Sequence, residues 1–239
     1  MRKRIFLLGL ISLSMVGVFA QSLQENLANL EFYQEKLPFF QELITGAQYP
    51  EPPKNHEGFP FLKGRSFEYG GLTINQVYYP DIPLLYDIRY DQVITVHPIY
   101  MQKLLINPAK INSFRLGDGS NFEQLTGNES YAHHKNGFYE IVEEGSVTLL
   151  AKHYKIPKPT RELGDYVAKY EEFEDFFIWD GGQFFSIKTK KSAIKTLELS
   201  KKLVRENLTR KGIYYGSNKR RYLKMLIQIH SQSIGTENE

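Results

Sequence analysis

The chain has 239 residues, of which 41% are hydrophobic and 24% charged, with a formal net charge of +3 and no cysteine. The lack of cysteine excludes disulfide bonds and a catalytic thiol. The length predicts one domain, or one domain with a small appendage, large enough to bury a sizeable core.

The first twenty residues have the pattern of a secretory signal peptide. Arg2, Lys3 and Arg4 precede an apolar run that ends in small residues near Ala20. We therefore expect an exported protein, cleaved near Ala20, that is periplasmic or extracellular. No later segment is long and apolar enough to span a membrane, so we expect no transmembrane segment.

Charge is distributed unevenly along the rest of the chain. Without the three basic residues of the signal peptide, 27 basic and 27 acidic residues remain. Residues 186–239 contain 13 Lys or Arg and 4 Asp or Glu, a balance of +9, so residues 21–185 carry −9. Such an asymmetry indicates a surface for a partner.

Composition divides the chain after the signal peptide, residues 1–20, into four parts. Residues 21–48 have leucines at helical spacing and form a predicted helical lead, and residues 49–58 are a Pro-rich connector. Residues 59–189 read as β-strands separated by turn residues, and residues 190–239 as two basic helices with a tail. The predicted class is α+β: an antiparallel β-meander, open and curved or closed into a small barrel, with a short N-terminal helix and a C-terminal helical pair.

The hairpin NGFYEIVEEGSVTLLAK, residues 136–152, illustrates the β pattern. A three-residue loop at 143–145 with Gly145 left-handed pairs Tyr139 with Leu149 and Ile141 with Val147. That register predicts one dry face and one half-wet face, on which Glu140 lies among Phe138, Val142 and Leu150. The dry face is formed by Tyr139, Ile141, Val147, Leu149 and Ala151. A second turn is predicted at Asp180-Gly181-Gly182, and Ser217 or Asn218 is a predicted cap of the last helix.

Several segments together resemble a family of uncharacterised secreted proteins from Bacteroidota. They are LKGRSFEYGGL (62–72), PLLYDIRYDQVI (83–94), KINSFRL (110–116), the hairpin above and the basic two-helix end. The Tyr-Asp and Gly-Phe-Tyr-Glu motifs carry the resemblance, which spans about Gly58 to His230. The resemblance implies an exported envelope protein and transfers no catalytic residue.

The candidate chemistries have structural explanations. His133 and His134 are adjacent, and neighbouring strand residues point to opposite faces, so an exposed loop explains them better than a metal site. The GDGSN stretch, residues 117–121, lacks the closing glutamate of a calcium loop and reads as a turn. Glu140 and its neighbours fit a solvent face and a turn, so no carboxylate pair for a glycosidase is selected. We therefore expect no catalytic residue, no metal and no cofactor.

The basic end offers the candidate contact residues Lys219, Arg220 and Arg221. They occupy the first turn of the last helix, where the helix dipole disfavours cations. One interpretation is an anionic partner, either an envelope protein or an anionic surface, and the other is pairing with the acidic stretch at 162–180 or simple hydration. Export argues against nucleic acid.

These observations predict a non-enzymatic cell-envelope protein that acts by protein contact or surface binding. A binding module for a small apolar or glycan ligand in a curved sheet is the alternative. A hydrolase is the third hypothesis, which a cleft with converging carboxylates or histidines of perturbed pKa would revive.

Overall fold

The computed structural model describes residues 41–44, 46–97, 100–160 and 166–237. The predicted signal peptide and residues 21–40 of the predicted helical lead lie outside these ranges.

Strands are the most abundant secondary structure of the described chain. They are β1 (His56–Glu57), β2 (Glu68–Ile74), β3 (Val77–Asp87), β4 (Gln92–Val96), β5 (Lys103–Leu105), β6 (Ile111–Arg115), β7 (Asn121–Leu125), β8 (Gly137–Glu143), β9 (Thr148–Pro159), β10 (Ala168–Asp180) and β11 (Gln183–Ile187). The helices within the described residues are α1 (Gln41–Ile44), α2 (Lys190–Thr196), α3 (Lys201–Asn207) and α4 (Lys219–Glu237).

The eleven strands form one open sheet with the order β1-β10-β9-β8-β7-β6-β2-β3-β4-β5, and β11 pairs with β10. Neighbours are antiparallel, except that β1 runs parallel to β10. Hairpins join β2 through β5 and β6 through β11, which makes the sheet largely a meander. The predicted α+β class is therefore confirmed, and the sheet is of the open form.

The tight turn between β10 and β11 shows how the sequence sets this pattern. Asp180 pairs with Gln183, and Gly181 and Gly182 between them have φ of 52° and 97°. A two-residue turn with positive φ at both positions matches the twist of the flanking strands, and glycine adopts it without strain. The turn predicted at this position is confirmed.

The two largest apolar clusters of the described residues pack against the sheet. The first is formed mainly by β2 to β8 and centres on Tyr86, whose ring lies edge-on to Phe114 and Phe122 at 5.1 Å between centroids. The second lies between β8 to β11 and the helices α2 to α4. The C-terminal helices therefore belong to the same packed body as the sheet.

The sequence predicts two C-terminal helices, and the structure divides the first of them into the two short helices α2 and α3. Thr189 and Ser192 form a capping box at the start of α2, and the Ser200 side chain accepts from the Leu203 N–H at the start of α3. Ser200 is a favourable cap residue, so a new helix begins there. For α4, Asn218 Oδ1 accepts from the Arg221 N–H at 2.8 Å, which confirms the predicted cap.

The predicted register of the β8–β9 hairpin is wrong. Ile141 lies opposite Leu150, Glu140 opposite Ala151, and a bulge falls between Ile141 and Glu143. The cause is tertiary: Ser231 of α4 accepts from the Ser146 N–H at 3.0 Å and holds the loop in a longer form.

The observed register is offset from the predicted one by three residues, since Ile141 pairs with Leu150 instead of Val147. An odd offset moves side chains to the other face of the sheet. Tyr139 consequently packs with Leu150 and Phe177, whereas Leu149 and Ala151 face the helices. Glu140, predicted to lie on a half-wet face, is buried. The prediction failed because it used local turn chemistry alone.

Candidate functional site

The three cations predicted as a contact surface have different surroundings at the start of α4. Arg220 turns inward: its Nη1 lies 2.6 Å from Glu174 Oε1, and its Nη2 donates to Glu140 Oε1. Lys219 Nζ lies 4.8 Å from the centre of the Phe176 ring, and Arg221 is exposed. Pairing with the acidic stretch, one of the two interpretations of these cations, therefore describes Arg220, while contact with a partner stays a prediction.

The cluster around Arg220 is built by three adjacent strands. Glu174 of β10 lies directly opposite His153 of β9, and Glu140 of β8 lies opposite Ala151, two residues before His153 on the same face. His153 Nε2 lies 2.6 Å from Glu140 Oε2. Together with Arg220, these residues join the sheet to α4.

Opposing influences set the pKa of Glu140. Burial raises the pKa of this carboxyl, and the hydrogen bonds with His153 and Arg220 lower it. The lowering is larger in total, so the pKa of Glu140 lies below its usual value. For Arg220, burial lowers the pKa, and Glu140 and Glu174 raise it by a larger amount, so the pKa lies above its usual value. Glu140 and Arg220 are thus held in their charged forms.

Within the described residues, three side chains of this cluster are also close enough together to bind one metal ion. One ligand atom from each of Glu140, His153 and Glu174 lies within 4.8 Å of the others. The guanidinium of Arg220 bridges the two carboxylates. It supplies the positive charge that a metal would bring, so the residues present are satisfied as an ion-pair network.

A second ion pair is fully enclosed in the sheet. Lys152 Nζ lies 2.9 Å from Asp91 Oδ2 and donates to the Phe138 carbonyl at 2.7 Å, while Asp91 accepts from the Phe138 N–H at 3.1 Å and from the Tyr86 hydroxyl. The two side chains thereby satisfy the backbone polar groups of Phe138. Burial lowers the pKa of Lys152 against the opposing effect of Asp91. Because Lys152 is wholly buried, we interpret this pair as a stabilising element of the fold and not as a binding site.

An open groove lies between α2 and α3. Its volume is about 790 Å³, and its apolar wall includes Ile194, Leu199 and Val204. Five cations and one carboxylate also line it: Lys190, Lys191, Lys195, Lys201, Arg205 and Glu198. The groove therefore combines a hydrocarbon wall with a strongly positive rim.

The groove cations contrast with Arg220 in their partners. In the part of the chain that the structure describes, none of the five forms a salt bridge with a carboxylate, although Lys190 Nζ lies 5.4 Å from the centre of the Tyr222 ring. All five are exposed. Their charge is thus available to a ligand.

A second cleft, of about 680 Å³, lies on the other side of α2 against α4. Ser146 Oγ and His230 Nδ1 are 2.8 Å apart at this cleft. Asp180, Lys195 and Glu198 also line it. Lys195 and Glu198 line both cavities, so the two are adjacent.

The remaining sequence candidates have structural partners. The His133 ring stacks on Tyr154 with centroids 4.1 Å apart, and His134 adopts a left-handed φ of 50° in the loop before β8. Asp118 accepts from the Ser120 N–H at 3.0 Å in the β6–β7 turn. This hydrogen bond explains the GDGSN stretch as a turn.

Comparison with protein-family models, with curated proteins and with solved structures finds no match for this chain. Among the helices of the described ranges, none is both long enough and apolar enough to cross a membrane.

Proposed function

We propose that this chain is an exported cell-envelope protein that acts by binding, and that the groove between α2 and α3 binds an anionic amphiphile. The export part of the proposal is supported by the signal-peptide pattern of residues 1–20. The ligand class is one acyl chain with an anionic head group.

The observation that carries the proposal is the coexistence, in one groove, of an apolar wall and five cations that form no salt bridge within the described residues. Like charges close together repel. The apolar surface that the open groove leaves in contact with water, which belongs to Ile194 more than to the buried Leu199 and Val204, is also unfavourable. An anionic head group relieves the first effect, and an acyl chain covers the second. A ligand with both parts therefore gains more than a simple anion or a neutral hydrocarbon.

The dimensions of the groove suit such a ligand. Its volume of about 790 Å³ lies within the range of roughly 300–1,000 Å³ typical of small-molecule sites. The apolar wall distinguishes it from a nucleic-acid surface, where cations alternate with polar and stacking groups. Both features favour a lipid-like anion.

The experiment is isothermal titration of the purified protein, without residues 1–20, with sodium laurate below its micelle concentration. Dodecyl maltoside has the chain without the charge, and acetate has the charge without the chain. We expect laurate to bind and each of the other two to bind at least tenfold more weakly.

Matched variants locate the site. The triple variant Lys191→Glu, Lys195→Glu, Arg205→Glu removes cations from the groove. The control variant Lys188→Glu, Lys202→Glu, Lys211→Glu changes the charge of the same segment equally, at exposed positions outside the groove. We expect laurate affinity to fall at least tenfold in the first variant and to change less than threefold in the second.

Equal weakening by both variants would show attraction to overall charge and would overturn the groove as the site. Absence of laurate binding would overturn the ligand class. In that case Lys219 and Arg221, two of the three cations predicted from the sequence as a contact surface, would be the place to seek an envelope protein partner.

A further inference from the structure

The cleft beside α4 contains a serine and a histidine that the binding function leaves without a role. Ser146 lies in the β8–β9 loop, and His230 lies in α4, 84 residues later in the chain. The Ser146 hydroxyl lies 2.8 Å from His230 Nδ1 and 3.2 Å from Ser231 Oγ. A serine hydroxyl at this distance from an imidazole nitrogen can transfer its proton to the ring.

Ser231 fixes the position of this pair. Its Oγ accepts from the Ser146 N–H at 3.0 Å and donates to the Ile227 carbonyl at 3.0 Å. The loop that carries Ser146 is thereby attached to the helix that carries His230. The separation of the two reacting groups is set by the fold rather than by a flexible side chain.

The surroundings of His230 suit a general base. Burial lowers the pKa of His230, and the carboxylates of Asp180 and Glu198 raise it by a smaller amount, so the ring is neutral at neutral pH. A neutral imidazole can accept a proton. The two carboxylates then stabilise the imidazolium that forms.

The cleft has room and suitable walls for a small substrate. The cleft, of about 680 Å³, is lined by apolar side chains, by the ammonium group of Lys195 and by the carboxylates of Asp180 and Glu198. The apolar residues are Val147, Ile178, Phe185, Leu197 and Ile234. An acyl group fits the apolar part, and the positive charge of Lys195 favours a developing oxyanion.

We infer that Ser146 and His230 form a nucleophile and base pair that hydrolyses small acyl esters in this cleft. Ser146 Oγ attacks the acyl carbon while its proton passes to His230. The bond from the acyl carbon to the alcohol oxygen breaks, and the alcohol leaves with that proton. Water then attacks the acyl-serine with His230 as base, which releases the carboxylic acid and returns the proton to Ser146.

This activity is additional to the proposed binding function, and its cleft shares Lys195 and Glu198 with the groove. It corresponds to the third hypothesis from the sequence, and it conflicts with the expectation that the protein is not an enzyme. A small neutral ester such as p-nitrophenyl acetate has neither an anionic head nor a long chain, so its hydrolysis does not require the groove.

The test is covalent labelling of the native protein with a fluorophosphonate, followed by intact-mass and peptide mass spectrometry. We expect one adduct, located on Ser146, and hydrolysis of p-nitrophenyl acetate that the label abolishes. Ser146→Ala should abolish the adduct, and His230→Gln should slow labelling about 100-fold or more, as is typical for loss of a general base.

The control variant is Ser120→Ala. The Ser120 hydroxyl donates to Asp118 Oδ2 at 3.0 Å in a turn, so the variant should label at the wild-type rate. The rate for the wild type should also rise with pH as the imidazole of His230 loses its proton. Failure of the folded wild type to form an adduct on Ser146 would overturn the inference without affecting the laurate experiment, and the hydrogen bond would then only fasten the loop to α4.

Discussion

The paired cations Lys152 and Arg220 and the cations of the α2–α3 groove have opposite surroundings. Lys152 and Arg220 each meet carboxylates, at Asp91 and at Glu140 with Glu174. In the described structure, the groove cations have no such partners, although they lie in the same basic C-terminal segment as Arg220.

The difference shows that a count of basic residues does not define a binding surface. The cations that the fold uses are neutralised by buried or half-buried acids, and changing them should affect stability. The cations that remain without acids surround an apolar wall, and changing them should affect ligand binding. The predictions below test this division.

The largest effect is expected for Lys152→Met. Asp91 would remain buried without its cation, and removal of one partner of a buried pair costs about 3–5 kcal/mol. We expect a loss of that size in the unfolding free energy, measured by urea denaturation. The double variant with Asp91→Asn should lose less than the sum of the single changes, whereas strict additivity would contradict a direct coupling.

A smaller loss is expected for Arg220→Ala. Its side chain is 35% exposed, so water can partly solvate the carboxylates of Glu140 and Glu174 when the guanidinium is removed. We therefore expect a loss of about 1–3 kcal/mol in the unfolding free energy. Its neighbour provides the control, because Arg221 is exposed and Arg221→Ala should change stability by less than about 0.5 kcal/mol. Similar effects of the two alanine variants would contradict an internal role for Arg220.

Acid should weaken the ion-pair network that joins Glu140 and Glu174 of the sheet to Arg220 of α4. The pKa of Glu140 is lower in the folded chain than its unfolded value of about 4.3, so the unfolded state binds more protons as pH falls. The stabilisation is present above that unfolded value and is lost as pH falls through the folded pKa. Urea denaturation between pH 7 and pH 3 should show this loss, and Arg220→Ala should make the pH dependence shallower. An unchanged slope would assign the acid sensitivity to other carboxylates.

The smallest effect on stability is expected in the groove. Lys195→Gln and Arg205→Gln remove cations that form no salt bridge in the described ranges, so each should change the unfolding free energy by less than about 0.5 kcal/mol. A loss above about 1 kcal/mol would mean that these cations support the fold. Thermal unfolding followed by circular dichroism measures the difference.

Local sequence signals predicted the parts of the fold that depend on neighbouring residues. Alternating strands, the Asp180-Gly181-Gly182 turn and the Asn218 cap are determined within a few residues, and each is confirmed. The β8–β9 register was not predictable in this way. It depends on a bulge and on Ser231, which contacts the hairpin loop from 85 residues further along the chain.

The candidate sites depend even more on distant pairs. The charge balance of residues 186–239 indicated a basic surface, but it could not show that Arg220 faces Glu140, 80 residues away. Without that contact, the paired and unpaired cations look alike in the sequence. The pairing of Ser146 with His230 also had no local signal, because no G-x-S-x-G motif surrounds the serine.

The most direct test of the division between the two sets of cations is an amide NMR titration of the ¹⁵N-labelled protein with sodium laurate. If the groove is the binding site, the largest chemical-shift changes will fall in residues 190–209 and will be absent from the first turn of α4. Changes centred on Lys219 and Arg221, with none in α2 and α3, would contradict that assignment.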